Sequence, residues 1–554
     1  VAMILSLPSL PFCYISRSIK NIMEDKRIVL AIILSLVVFL GWHSFAEYMG
    51  WISPKVQHVA NERHSSVDQT ATSNIALDSV QSVFSPPTGK DVYIETPLYI
   101  AKIHSSGGIL SSFILKKYKV NLDNTSPLVN LVSPEASQAM PLGITLNGQP
   151  SWSNGNWSFL GGDLYLKPGE TKELTFVGIV NGVKIIRIFT FNADSYLIHE
   201  KLQLASEKQN SCPTKVGLLV AATPFGTGQY DPTRMAWSIK DSFKEETSID
   251  TLKEKGIQES GEFNWGGVMS NYFMNVVALS DPLYLTIKGR IQNDVWRVAL
   301  ERSNVLIPAE GTTSITVNWW FGPKDRELLS RAPDKLENAI DFGMFSIIAK
   351  PLLTALTFFY EYTGNWGVAI IVLTLCIKIV FWPLSQKSYN SMEQMKKLQP
   401  MMQKLREKYA NDRDTLNREI MQLYKTYKVN PAGGCLPILL QIPVFIGLYQ
   451  ALLNSIELRH ATFIYYLPFT HLVWLADLSA ADPFYITPLL MGASMFLQQK
   501  LTPASGDPTQ QKIMMVMPII FTVMFLNFPA GLVIYWLFNN LLSIGQQWWM
   551  LRKA

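Results

Sequence analysis

The run LTLCIKIVFWPL, from Leu373 to Leu384, is apolar enough for a membrane interior, and Lys378 sits in the middle of it. An ammonium at the centre of a spanning helix costs roughly 2.5–3.5 kcal/mol on insertion scales, so a chain that keeps one uses it. Thr374 stands four residues earlier and shares its helical face. Other apolar runs carry polar residues at similar spacing. Trp536, Asn539 or Asn540, Ser543 and Gln546 recur every three or four residues; so do Thr487, Ser494 and Gln498; Gln441 lies between two prolines, and Asn527 ends a run. A lone polar residue in a span usually joins helices by a hydrogen bond. Polar faces on several spans at once predict a wet cavity between helices, with Lys378 facing it rather than snorkelling past Trp382 to the headgroups. A positive charge between low-dielectric walls attracts acidic groups electrostatically and needs no covalent chemistry.

The segments that have to position these residues run the length of the chain, with a membrane core predicted over 365–550. Residues 1–22 read as an N-terminal extension, 23–52 as a first transmembrane anchor and 53–90 as a polar linker. Residues 342–364 form an amphipathic pattern, with Phe345, Ile348, Leu352, Leu356 and Phe359 opposite Ser346, Lys350, Thr354, Thr357 and Glu361. Such a helix beside a span is predicted to lie in the membrane interface. Five spans are predicted at 366–384, 435–453, 483–501, 513–528 and 532–549, making six with the anchor.

Between anchor and spans, residues 91–341 change texture to short alternating runs such as VKIIRIFTF and TSITVNWWF, punctuated by SSGG, LNGQP and SNGN. That pattern predicts an all-β sandwich. His104 and His199 read as satisfied or surface histidines. Trp152, Trp157, Trp265 and Trp296 read as packing residues rather than a sugar groove. No GxSxG, HExxH or glycine-rich phosphate loop occurs, and the four cysteines give no CxxC pair, so neither catalysis, cofactor nor metal is expected.

Segment 385–430 holds ten basic residues, from Lys387 to Lys428, against five acidic ones, whereas 454–482 holds Arg459 against Glu457, Asp477 and Asp482. The positive-inside rule puts 385–430 in the cytoplasm, both termini inside and the β domain outside. Within that segment Met395, Leu398, Met402, Leu405 and Tyr409 repeat at 3-4-3-4, as do Leu416, Ile420, Leu423 and Tyr427 at 4-3-4, with NDRD between them. This predicts an antiparallel helical hairpin, its methionines serving either plain packing or an adaptable surface for apolar segments.

The motifs NWGVAIIVLTLCIKIVFWPLSQKSYNSMEQMKKLQP, YKVNPAGGCLPILLQIPVFIGLYQAL, DPFYITPLLMGASMFLQQK and DPTQQKIMMVMPIIFTVMFLNFPAGLVIYWLFNN resemble, in order and spacing, the YidC membrane-protein insertases. The β domain and the MEDKR start resemble the family's Gram-negative form with a large periplasmic domain. The resemblance implies a galactose-mutarotase-like supersandwich without sugar chemistry, in a polytopic inner-membrane protein. It implies a groove open to cytoplasm and lipid, lined at Lys378, Thr374, Gln441, Asn527 and Trp536, and Asn540 and Ser543 join these on the polar face. Met395, Met402, Leu405, Leu416 and Leu423 would form the hairpin. Implied partners are nascent membrane proteins, the bilayer, a Sec-type translocon and the ribosome, with no nucleic-acid specificity. Two residues depart from the pattern: the family usually has Arg at 378 and often an aromatic at 527. Lysine keeps the charge and loses the planar fork that binds carboxylates bidentately. The competing reading is a secondary transporter using the same cavity for a small solute, which predicts inverted repeats that the chain lacks.

Overall fold

A computed structural model describes residues 89–123, 125–153, 155–207, 211–226, 230–410, 412–429, 436–502 and 508–553. The predicted extension, anchor and nearly all of the linker lie outside the described residues.

The alternating runs fold as strands. A five-stranded sheet contains β1 (Asp91–Glu95), β2 (Tyr99–His104) and β3 (Ile109–Lys119). A thirteen-stranded sheet includes β4 (Thr171–Val180), β5 (Val183–Asn192), β6 (Leu197–Ser206), β7 (Cys212–Ala222), β8 (Ile257–Met269), β9 (Phe273–Gln292), β10 (Val295–Ile307) and β11 (Thr313–Pro323). Its central path runs β7-β10-β9-β11-β6-β5-β4, antiparallel throughout. β9 pairs with β11 through Phe273–Leu279, with β10 through Thr286–Gln292, and with β8 on its other edge. Strict period-two burial, as in β5, gives one face to the core and the other to solvent.

The most enclosed ion pair among the described residues joins β5 and β6. Arg187 of β5 and Glu200 of β6 are both fully buried, with Nε donating to Oε1 at 2.6 Å and Nη2 to Oε2 at 3.0 Å. The remaining guanidinium donors reach the carbonyls of Gly107 (2.5 Å) and Leu142 (2.7 Å), and Trp319 Nε1 donates to Glu200 Oε2 at 2.8 Å. A buried charge survives when every lone pair and proton finds a partner. Gly107 and Gly108 present their carbonyls from positive φ, 83° and 66°, where a Cβ would be strained.

The histidines are satisfied as expected. His104 Nδ1 accepts from the Ser106 amide at 3.1 Å, and His199 Nδ1 lies 2.7 Å from Asn318 Oδ1. Trp152, Trp265 and Trp296 are buried and Trp157 packs against the core edge, so none lines an open groove.

Seven longer helices follow: α1 (Ser346–Thr363), α2 (Trp366–Lys408), α3 (Arg413–Thr426), α4 (Leu436–Leu453), α5 (Ile486–Leu501), α6 (Pro508–Phe525) and α7 (Ala530–Lys553). Among the described residues, α1 with the turn before it (Gly343–Thr363) and α2 are long and apolar enough to cross a membrane, while Leu439–Leu453 and Met514–Phe525 are shorter apolar stretches. The buried stripe of α1 is Ala349, Leu353 and Leu356, so of the predicted apolar stripe only Leu356 is fully buried. The helix turns its small residue inward because it packs on α4, where Gly447 sits under Ile348 and Ala349.

A boundary drawn at 384/385 falls inside α2. The helix starts at Asn365, whose Oδ1 accepts from the Val368 amide at 3.1 Å, and runs 43 residues through Pro383 and Pro400. Each proline removes one intrahelical hydrogen bond, so the basic arm is a direct extension of the apolar segment. Asp412 caps α3, accepting from the Thr415 hydroxyl at 2.6 Å and its amide at 3.0 Å, bonds that hold its carboxyl below the usual carboxylate range. In the hairpin Met395, Leu398 and Met402 are buried, Leu423 and Tyr424 pack on them, and the Tyr424 hydroxyl lies 3.4 Å from Met402 Sδ. Leu405 and Leu416 are half-buried nearer the turn. Tyr427, expected in the seam, is exposed, and Tyr424 takes its place.

β domain and helices share one apolar cluster. Across their seam Arg459 donates to the Val120 carbonyl at 3.1 Å with its guanidinium 5.2 Å from the Phe273 ring. Arg326 donates to Thr354 Oγ1 of α1 at 2.8 Å, and the rings of Tyr230 and Phe528 lie 5.4 Å apart. Burial raises the Glu457 carboxyl above its ordinary pKa at this seam.

Candidate functional site: a cationic polar seam between α2, α4 and α7

Lys378 points into the bundle. Its Nζ donates to Ser543 Oγ of α7 at 2.7 Å, and Ser543 Oγ in turn donates to the Asn539 carbonyl at 2.7 Å. The lysine is half-buried and, among the described residues, meets no carboxylate. A strongly hydrated ammonium is thus left with one neutral side-chain partner.

One face of α7 continues the seam in both directions. Toward the β domain, Gln441 Nε2 of α4 donates to Asn539 Oδ1 at 2.6 Å, and beyond it Trp536 stands among Phe445 (4.7 Å), Phe525 (5.2 Å) and Phe521 (5.5 Å). Toward the other end, Gln546 Nε2 lies 3.5 Å from the Trp382 carbonyl, and the Trp382 and Trp549 rings meet edge to face at 5.7 Å. The order is aromatic, amide pair, cation, amide, aromatic.

Four predicted residues fall on this seam: Lys378, Gln441, Trp536 and Ser543. Three do not. Asn540 turns to α5, where its Nδ2 donates to Ser494 Oγ at 3.1 Å, and Asn539 takes the seam position. The two asparagines lie about 100° apart on the helix and straddle the line through Trp536 and Ser543, so spacing alone admits either. Thr374 is fully buried and returns its hydroxyl to the Ile370 carbonyl at 2.6 Å, which spends its donor on its own helix. Asn527 is exposed in the turn between α6 and α7, next to the residue that touches Tyr230. Its distance along α7 from Ser543 places it at the far end of the bundle.

Thr487 and Ser494 of α5 are also buried in helix contacts, Thr487 accepting no free role because both its amide and hydroxyl donate to Asp482 Oδ2, at 2.7 and 2.8 Å. The aromatic companions Phe445, Phe521 and Phe525 were not distinguishable in the sequence from ordinary apolar span residues.

Around the seam the helices are oily outside. Leu375, Ile379 and Val380 of α2, Leu489, Leu490, Phe496 and Leu497 of α5, and Ile519, Ile520 and Val523 of α6 are all exposed. Apolar exposure on this scale belongs to a surface that lipid covers. Fold and seam together define an integral membrane protein with a helical core, an internal cationic site and a large β domain.

Comparison with known proteins names that class. Residues 358–554 match the family model described as the 60Kd inner membrane protein, and residues 91–355 match the YidC periplasmic domain. A membrane protein insertase YidC of Nitratidesulfovibrio vulgaris (strain Miyazaki F) is 56% identical over 542 residues, 96% of this chain and 100% of the relative. One from Oleidesulfovibrio alaskensis is 52% identical over 543 residues, with the same coverage. The solved structure of an active YidC insertase with its first transmembrane domain resolved covers 85% of this chain and 95% of its own, at 17% identity and a TM-score of 0.34. The chain belongs to the YidC family of membrane protein insertases, inner-membrane proteins with a periplasmic domain and no enzymatic activity.

Proposed function

We propose that the chain inserts nascent apolar segments through the seam around Lys378, which holds an acidic tail of the substrate while its helix enters lipid. The observation that carries this reading is the Lys378 ammonium, turned into the bundle on Ser543 with no counter-charge among the described residues. A cation already neutralised by a carboxylate would have no field left to offer. At an effective dielectric near 20, unit charges about 4 Å apart attract by roughly 4 kcal/mol before desolvation. Burial of the substrate helix in lipid, at about 25 cal/mol per Å², supplies the driving force without ATP.

In this reading the protein has six spans with both termini in the cytoplasm: the anchor at 23–52 and the helices α2, α4, α5, α6 and α7. The domains are those drawn from the sequence, with 91–341 outside and α1 at the membrane interface. The basic hairpin of α2 and α3 receives the nascent chain, and its charge favours contact with the ribosome; a Sec-type translocon is the second proposed partner. The buried Met395 and Met402, with Leu423 packed beside them, support plain packing for those residues, which leaves the exposed Met401 and Met421 as the adaptable surface. The apolar part of α6, Met514–Phe525, is short for a span and would favour a locally thinned bilayer.

The test is Lys378→Ala in cells depleted of the native protein. Insertion of a single-span substrate with a short acidic tail should slow about tenfold, or about 1.4 kcal/mol. Lys378→Arg should restore it, because potential rather than bidentate geometry is what the lysine supplies. Undiminished insertion by the alanine variant would reject the electrostatic role.

A further inference from the structure

The loop joining α4 to α5 carries a two-stranded ribbon, β12 (Ile464–Tyr466) and β13 (Val473–Leu475), that ends in Pro468 and Phe469. Its base is locked to the bundle. Asn365 Nδ2, at the start of α2, donates to the Phe463 carbonyl at 2.9 Å, and the Phe463 ring fills the space where Gly367 would otherwise carry a Cβ. Leu475, Ala476 and Leu478 are buried, and the Gly531 amide at the start of α7 donates to the Leu478 carbonyl at 2.9 Å.

The far part of the ribbon is bare. Tyr465, Tyr466, Leu472 and Val473 are exposed, and Phe469 is fully exposed at a φ of 65°. The left-handed region is uncommon for a bulky residue, so the turn holds this ring outward at a cost. Isolated two-stranded ribbons are marginal in water, and this one has no third strand.

We propose that this ribbon is an anchor that dips its aromatic tip into the outer leaflet of the bilayer. Three observations favour lipid over a protein partner. From Thr462 to Ala476 the chain has no Asp, Glu, Lys or Arg, whereas protein interfaces keep charged, polar rims. Its exposed residues are those of the aromatic belt at a membrane surface, amphipathic tyrosines beside apolar side chains. The tip also satisfies part of its backbone internally. The Leu467 amide donates to Leu472 O at 2.9 Å, the Thr470 amide and hydroxyl to Leu467 O at 3.0 and 2.8 Å, and the Leu472 amide to Thr470 Oγ1 at 3.3 Å, while Pro468 has no N–H. Internal satisfaction of this kind is what a low-dielectric surrounding demands. The same loop runs on through the exposed Phe484 and Tyr485 to the exposed Leu489 and Leu490 of α5, which extends the apolar strip onto the helix. Anchored there, the ribbon would hold the N-terminal end of α2 against the leaflet farther from the hairpin.

The proposal rests on the membrane arrangement given above, and its test separates the two. Cys13, Cys212, Cys376 and Cys435 are changed to Ser in the full chain, and an environment-sensitive NBD fluorophore is placed at His471→Cys. The protein is reconstituted in vesicles of phosphatidylethanolamine and phosphatidylglycerol, with nitroxide-bearing lipid or a soluble quencher. A tip lying about 5–10 Å into the interface loses about half its emission to the nitroxide lipid and little to the soluble reagent. Leu490→Cys on α5 is the internal reference and should be quenched by lipid too. Quenching at Leu490 without quenching at 471 overturns the anchor and leaves the membrane arrangement standing; loss of both overturns the arrangement itself. A tip shielded from both quenchers is covered by protein, which also overturns the anchor. Leu472→Cys repeats the measurement should the first labelled variant fold poorly.

Discussion

Two cations, one enclosed and one half-buried, set the halves of this molecule apart. Arg187 in the β domain is fully enclosed and spends its guanidinium on a carboxylate and the backbone carbonyls of Gly107, Gly108 and Leu142. Lys378 in the helical core is half-buried and spends its ammonium on one hydroxyl. The first is a closed arrangement in which nothing remains for a ligand. The second is open, holding potential in a low-dielectric place without discharging it on the protein. Side-chain chemistry reinforces the contrast, since a guanidinium suits fixed, planar pairing and an ammonium suits a shifting point contact. Burial alone therefore does not capture what distinguishes these two cations; the completeness of their partner sets does.

The comparison breaks most readily at Glu200. Glu200→Ala leaves Arg187 buried without its carboxylate and should cost about 3–5 kcal/mol. At roughly 2–4 °C per kcal/mol, that is a fall of about 10 °C in the melting of the β domain, read by near-ultraviolet circular dichroism on the solubilised full chain. An unchanged melt would mean that the pair is not what closes the core. Asn540→Ala tests the bundle's glue: loss of its bond to Ser494 should cost about 0.6–1.7 kcal/mol in the denaturant resistance of the helices. Lys378→Met should not lower the same transition and should leave it unchanged or move it toward higher stability, because replacing a weakly compensated charge by a similar apolar volume is neutral or favourable. A large destabilisation there would make Lys378 a structural residue and erase the contrast.

Much of the helical core could be read in the sequence because long oily runs advertise helices, and each of the five predicted runs from 366 onward overlaps one, although 483–485 and 526–528 fall outside it. The strand texture of 91–341 was equally legible from its period-two alternation. Closing partners were not. Arg187 meets Glu200 at a sequence separation of 13 and the Gly107 carbonyl at 80, and nothing local marks either contact. Asn539 and Asn540 were interchangeable by spacing, since the deciding facts are which neighbour, Gln441 or Ser494, stands opposite each. The ribbon at 464–475 was hidden in what read as a charge-poor loop, because its strands are three residues each.

The unbroken course of α2 has a mechanical meaning. At 1.5 Å per residue its 43 residues make a rod about 65 Å long, gripped at one end by Phe463 and the ribbon and carrying the methionine arm at the other. No loop between Lys378 and Met395 can take up slack, and Pro383 is the sole proline hinge between them. A pull on the arm is therefore a pull on the lysine, since both ride on the same length of backbone.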